Sequence, residues 1–124
     1  MNVVDSSGWL EFFADGPNSS VFGAVILKPG ELIVPTISLY EVFKRVLQQR
    51  DESQALQAVA LMQQGLIVEL SASLALSAAK LSTDLRLPMA DSIMLATARE
   101  YHATLWTQDT HFRDVEGVRF IQSK

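Results

Sequence analysis

A chain of 124 residues, 48% hydrophobic and 19% charged, has the size and composition of one folded domain, expected to span residues 1–124. The absence of cysteine excludes disulfides, thiolate zinc sites and a cysteine nucleophile. A net charge of −4 argues against a broad nucleic-acid-coating surface, but not against a small site where a divalent cation cancels local acids.

In chain order, "MNVVD" is a short β-branched run that predicts a buried first strand ending in Asp5. "SSGWLEFFA" predicts a helix capped by Ser6 or Ser7, and "DGPNSS" a turn over 15–20. "VFGAVILK" predicts a short second helix, "PGE" a turn, and "LIVP" the second strand. "TISLYEVFKRVLQQR" places Leu39, Phe43, Val46 and Leu47 on one side of a helix. "ESQALQAVALMQQ" is a second strong helix, with Gly65 at the C-cap position. "LIVEL" predicts the third strand, and "SASLALSAAKLSTDLR" a helix capped by Ser71 or Ser73. Pro88 suits a first helical turn, so "PMADSIMLATAREYH" is the next helix. "ATLWT" and "GVRFIQ" are the fourth and fifth strands, separated by a loop over 108–117. No stretch approaches the roughly 18 apolar residues that span a bilayer. The N-terminus lacks a basic region followed by an apolar run, so a cytoplasmic protein without membrane association is expected.

Strands that alternate with helices imply an α/β fold with a mostly parallel central sheet of about five strands. Ligands of such sheets sit beyond the carboxyl ends of the strands. Asp5 ends the first strand, and Asp109 follows the fourth by two residues. Glu41 lies early in the helix after the second strand, and Asp91 in the first turn of the helix before the fourth. All four acids are therefore expected at one edge of the sheet. Two carboxylates about 5 Å apart repel by roughly 3 kcal/mol at an effective dielectric near 20. Either some protonate or a cation sits among them, and oxygen donors favour Mg²⁺ or Mn²⁺. The chemistry that follows is metal-assisted phosphodiester hydrolysis. Each acid also has a plainer role. Asp5 can cap the first helix, Glu41 can close a capping box with Ser38, Asp91 can complement a helix dipole, and Asp109 can form a turn.

These segments resemble the PIN-domain nucleases, and more closely the small ribonuclease toxins of VapBC-type toxin–antitoxin pairs. "VVDSSGWLEFF" is similar to the opening strand with its first acid, Asp5, and the hydroxyl residue after it, Ser6. "IVPTISLYEVFKRV" resembles the segment carrying the family glutamate, Glu41. "LPMADSIMLATAREYHATLWTQDTHFRDVEGVRFI" resembles the most distinctive stretch, with Asp91 and Asp109 as third and fourth acids. The resemblance implies a Rossmann-like α/β/α domain, an Mg²⁺- or Mn²⁺-dependent endoribonuclease acting on RNA, a homodimer, and a cognate VapB-like antitoxin. Asp114 stands where some members have a further acid, with a solvated loop residue as the alternative. Thr107 is placed to orient Asp109 or a water, or is a plain strand residue.

Lys44, Arg45 and Arg113 lie near the acids in sequence and are candidates for phosphate contact, against a solvated helix face as the simpler role. His102 and His111 lack the i, i+4 spacing of a helical metal pair and are assigned to the surface or to packing. Trp9, Phe12 and Phe13 are assigned to the core or a dimer interface. Two rival classes stay open. A receiver-like phosphoacceptor domain would need an early acidic pair and a late lysine, neither of which is visible. An interaction or RNA-binding module would use the same acids structurally. A phosphatase with an Asp-x-Asp nucleophile is excluded by Ser7, where it needs an aspartate.

Overall fold

The computed structural model describes residues 1–124. Five short parallel strands form the central sheet: β1 (Asn2–Val4), β2 (Leu32–Pro35), β3 (Leu66–Val68), β4 (Thr104–Thr107) and β5 (Val118–Phe120). Six helices connect them: α1 (Ser6–Phe13), α2 (Ser19–Ile26), α3 (Thr36–Gln49), α4 (Glu52–Met62), α5 (Ala72–Leu85) and α6 (Met89–Glu100). Two 3₁₀ turns, Pro29–Glu31 and Thr110–Phe112, complete the connections.

Alternation along the strands builds two cores. Val3 pairs in register with Ile33 on one side and Leu105 on the other, and all three face the layer formed by α5 and α6. Val4, Leu32 and Val34 point the opposite way, into a cluster with Trp9, Phe22, Val42, Ala55 and Met62 from α1 to α4. Every residue of β2 is buried, as expected of a parallel strand covered on both faces. No helix is long and apolar enough to cross a membrane.

Several expectations are corrected in detail. Asp5, not Ser6 or Ser7, caps α1. The second helix starts at Ser19, two residues early, and its β-branched residues are tolerated because Val25 and Ile26 bury with Phe22. The "PGE" segment winds into a 3₁₀ turn. Helix α4 ends at Met62, so Gly65 is not its left-handed cap. Gly65 instead allows close strand approach: a Cβ there would lie 2.9 Å from the Leu32 carbonyl oxygen. Ser71 caps α5, accepting from the Leu74 N–H at 3.1 Å. Pro88 is itself the N-cap of α6. The apolar density of α1 and α2 goes largely into the core, which takes Trp9, Phe22, Val25 and Ile26.

Candidate active site

The sheet order is β3-β2-β1-β4-β5. The chain builds outward from β1 through β3, then crosses back to lay β4 on the other side of β1. That reversal opens a crevice at the carboxyl ends of β1 and β4. It is not the 2-1-3-4-5 order of receiver domains, which removes the phosphoacceptor alternative.

Asp5 is the first residue beyond β1 and is 2% exposed. Its Oδ1 accepts from the Gly8 N–H at 3.0 Å and from Ser7 Oγ at 2.7 Å. Its Oδ2 accepts from Thr107 Oγ1 at 2.5 Å. Burial pushes its pKa up to about 6, opposed by these three hydrogen bonds and assisted by the nearby Asp109 charge. The same hydroxyls tie the two strand ends together. Thr107 Oγ1 accepts from the Asp109 N–H at 2.9 Å, and Ser7 Oγ accepts from the Gln108 N–H at 3.1 Å.

Glu41 projects from α3, and its Oε1 accepts from Ser6 Oγ at 2.6 Å. The capping box with Ser38 does not form, because α3 begins at Thr36 and leaves both residues inside the helix. The Ser38 hydroxyl is buried without a partner.

Asp91 sits in the first turn of α6 with its side chain 14% exposed. Its pKa is pushed up to about 7, first by burial and then by the charges of Asp109 and Asp5, with Glu41 adding a smaller push and His111 opposing. Asp91 therefore lies within range of the charges of all three other acids, while the ligand atoms that fall within 4.8 Å of one another are those of Asp91, Asp109 and His111, without Asp5 or Glu41. Asp109 caps the Thr110–Phe112 turn, its Oδ1 accepting from the His111 N–H at 2.9 Å. Its turn-forming role and its place in the cluster coexist.

The other sequence candidates are more dispersed. Lys44 lies over the exposed Tyr40 ring, 5.6 Å from its centroid. With Ser6, Glu41 and Arg45 it lines an open cleft of about 470 Å³ beside the acids. Arg113 instead stacks on Phe120 and donates to the Gln122 side chain at 3.4 Å. Asp114 is exposed in a left-handed turn (φ 66°) and makes no side-chain hydrogen bond or ion pair.

Two residues joined the site that the sequence assigned elsewhere. The sequence offers Ser7 as a helix cap, and no local pattern marks it as a support for Asp5. His111 had been a surface histidine, yet its Nδ1 lies 2.9 Å from Asp109 Oδ1 and 3.6 Å from Asp91 Oδ2. The signal was its position two residues after Asp109, not a helical spacing.

No lysine or arginine pairs with any of the four acids; the one ion pair outside the His111 contacts is Lys80–Asp84. Clustered carboxylates with no lysine or arginine among them are a donor set suited to a divalent cation. The candidate ligand atoms of Asp91, Asp109 and His111 all lie within 4.8 Å of one another.

A parallel Rossmann-like sheet with an acidic cluster at its switch point defines the class of protein. The PIN domain family model matches residues 3–118, and the chain belongs to that family. Among solved structures, a toxin–antitoxin complex from Klebsiella pneumoniae contains a chain 21% identical, with a TM-score of 0.82 over 100% of both chains. VapC20 of Mycobacterium tuberculosis, a sarcin–ricin loop cleaving toxin, is 16% identical with a TM-score of 0.79, over 98% of this chain and 97% of that one. VapBC2 from Rickettsia felis, bound to a DNA fragment from its promoter, is 16% identical with a TM-score of 0.74, over 97% and 96%. At these identities the likeness establishes the fold. Comparison with curated protein sequences gives no significant match.

Proposed function

We propose that this chain is a divalent-metal-dependent endoribonuclease and the toxin of a toxin–antitoxin pair. The observation that carries this reading is the cluster of Asp91, Asp109 and His111, whose ligand atoms lie within 4.8 Å of one another at the strand ends, with Asp5 and Glu41 close enough to help raise the pKa of Asp91. Asp5, Asp91 and Asp109 would hold Mg²⁺ or Mn²⁺, with Glu41 at the cleft side of the cluster. When bound, such an ion supplies an activated water and neutralises phosphate charge.

The chain's own residues do the positioning. Ser7 and Thr107 fix both oxygens of Asp5, and Ser6 fixes one oxygen of Glu41. Tyr40, Lys44 and Arg45 beside Glu41 offer a stacking face and two cations to a single RNA strand entering the cleft. Asp114 and Arg113 are assigned no direct part. The neighbours solved as toxin–antitoxin or VapBC complexes support a VapB-like partner for this chain. A basic side chain of that partner, placed among carboxylates that no lysine or arginine of this chain pairs, would block the ion and the RNA together. The same reading includes a homodimer.

Purified protein is expected to cleave an RNA oligonucleotide with added Mn²⁺ or Mg²⁺, to stop on chelation, and to be silenced by its co-expressed partner. Absence of cleavage under all metal conditions would overturn the enzymatic reading. Full cleavage by a saturated complex, or a clean monomer on sedimentation, would remove the inhibitor or dimer assignment.

A further inference from the structure

His111 is one of only two histidines in the chain, and it is held where a ligand would be. Its turn is anchored from below by Phe112, which is fully buried in the α5–α6 core. Its backbone N–H is tied to Asp109 Oδ1, and its ring swings back so that Nδ1 approaches the same oxygen at 2.9 Å. Asp91 Oδ2 lies 3.6 Å from the same nitrogen. The ring has no polar partner besides these two carboxylates, and its side chain is 55% exposed, so binding an ion through Nδ1 would leave the proton on Nε2. Two neighbouring ligands at about 2.1 Å from an octahedral ion stand roughly 3.0 Å apart, so the Nδ1–Oδ1 spacing suits a shared ion.

Resting on the metal-site reading above, we infer that His111 is a nitrogen ligand of this site, which therefore takes a first-row transition-metal dication in preference to Mg²⁺. The chemistry follows from donor type. Carboxylates and water serve Mg²⁺ and Mn²⁺ alike, whereas imidazole adds affinity for transition metals and little for Mg²⁺. The groups facing the ring are the carboxylates of Asp91 and Asp109, and no lysine or arginine pairs with either of them. A histidine that only balanced the charge of the metal-free acids would be displaced when the ion arrives.

The experiment titrates the full chain with Mn²⁺ alone and reads binding by electron paramagnetic resonance, with pulsed measurements for coupling to ¹⁴N. The parent should show imidazole nitrogen coupling, lost in His111→Ala and in His111→Gln but retained in His102→Ala. Mn²⁺ should bind about ten-fold more weakly to the His111 variants, while Mg²⁺, measured by competition, shifts by no more than about two-fold. Thermal melts confirm that the variants fold. Mn²⁺ bound without nitrogen coupling, or an equal loss for both ions, would overturn this inference and leave the metal site standing. Failure of the parent to bind Mn²⁺ would overturn both.

Discussion

Ser7 and Thr107 grip the Asp5 carboxylate from two sides, and each also receives a backbone N–H from the segment after β4. Each hydroxyl thus both donates and accepts, so losing one frees Asp5 and strands a donor. Ser7→Ala leaves Oδ1 with the Gly8 N–H alone and the Gln108 N–H without its acceptor. The expected stability cost is about 1–3 kcal/mol. On the proposed reading the hydroxyl orients a metal-holding carboxylate, so the metal concentration for half-maximal cleavage should rise by about ten-fold or more. Activation curves beside thermal melts measure both. An unchanged metal requirement in a folded variant would reduce Ser7 to a structural role.

At the scale of elements, β1 and α1 are joined so tightly that the site has little freedom. Asp5 ends one and caps the other, and Gly8 lies where α1 presses on the sheet. A Cβ at Gly8 would sit 2.6 Å from Val4 Cγ1 and 2.7 Å from the Phe22 ring. Gly8→Ala should therefore destabilise the fold by about 1–3 kcal/mol through overpacking, although alanine favours helix by about 1 kcal/mol. Denaturant unfolding reads the sign directly, and a stabilised variant would contradict this packing. Most of the element order was legible because apolar strand runs and helical patterns alternate cleanly. The strand ends then placed Asp5 and Asp109 by the general rule for parallel sheets. Gly65 misled because a glycine after a helix usually serves as its cap, whereas here the constraint is the backbone of β2, distant in sequence. The capping box offered as the plainer role of Glu41 fails for the same reason: the Ser38 motif is local, but the Ser6 hydroxyl that bonds Glu41 is 35 residues away. His111 escaped because Asp91, one of its two partners, lies on α6, and the other, Asp109, is brought to the ring by the turn it caps rather than by a helical spacing.

For the whole molecule, the acid cluster makes stability depend on pH. An aspartate ordinarily titrates near 3.8, whereas metal-free folded protein holds the proton of Asp91 to about 7 and that of Asp5 to about 6. Between those limits the native state binds more protons than the unfolded chain, so stability falls as pH rises. In chelator, the melting temperature should decline from about pH 4 to pH 7, and Asp91→Asn should flatten the decline. Added Mn²⁺ near neutral pH should raise it again, since an ion that binds only the native state stabilises it. A metal-free parent that grows more stable over that range, with a slope Asp91→Asn does not change, would contradict the repulsive cluster.

The most direct measurement is RNA cleavage by Asp91→Asn and Asp109→Asn, assayed with saturating Mn²⁺ beside metal-free melts. Asparagine keeps the size of aspartate and still accepts backbone hydrogen bonds, so it replaces a cap or a turn former nearly in full. It removes the charge that holds an ion. Each variant should lose cleavage by more than about a hundred-fold, beyond what is typical of groups that only orient ligands. Metal-free Asp91→Asn at neutral pH should be at least as stable as the parent, because repulsion is relieved. Near-parental cleavage by both variants, with unchanged metal dependence, would falsify the four-carboxylate site.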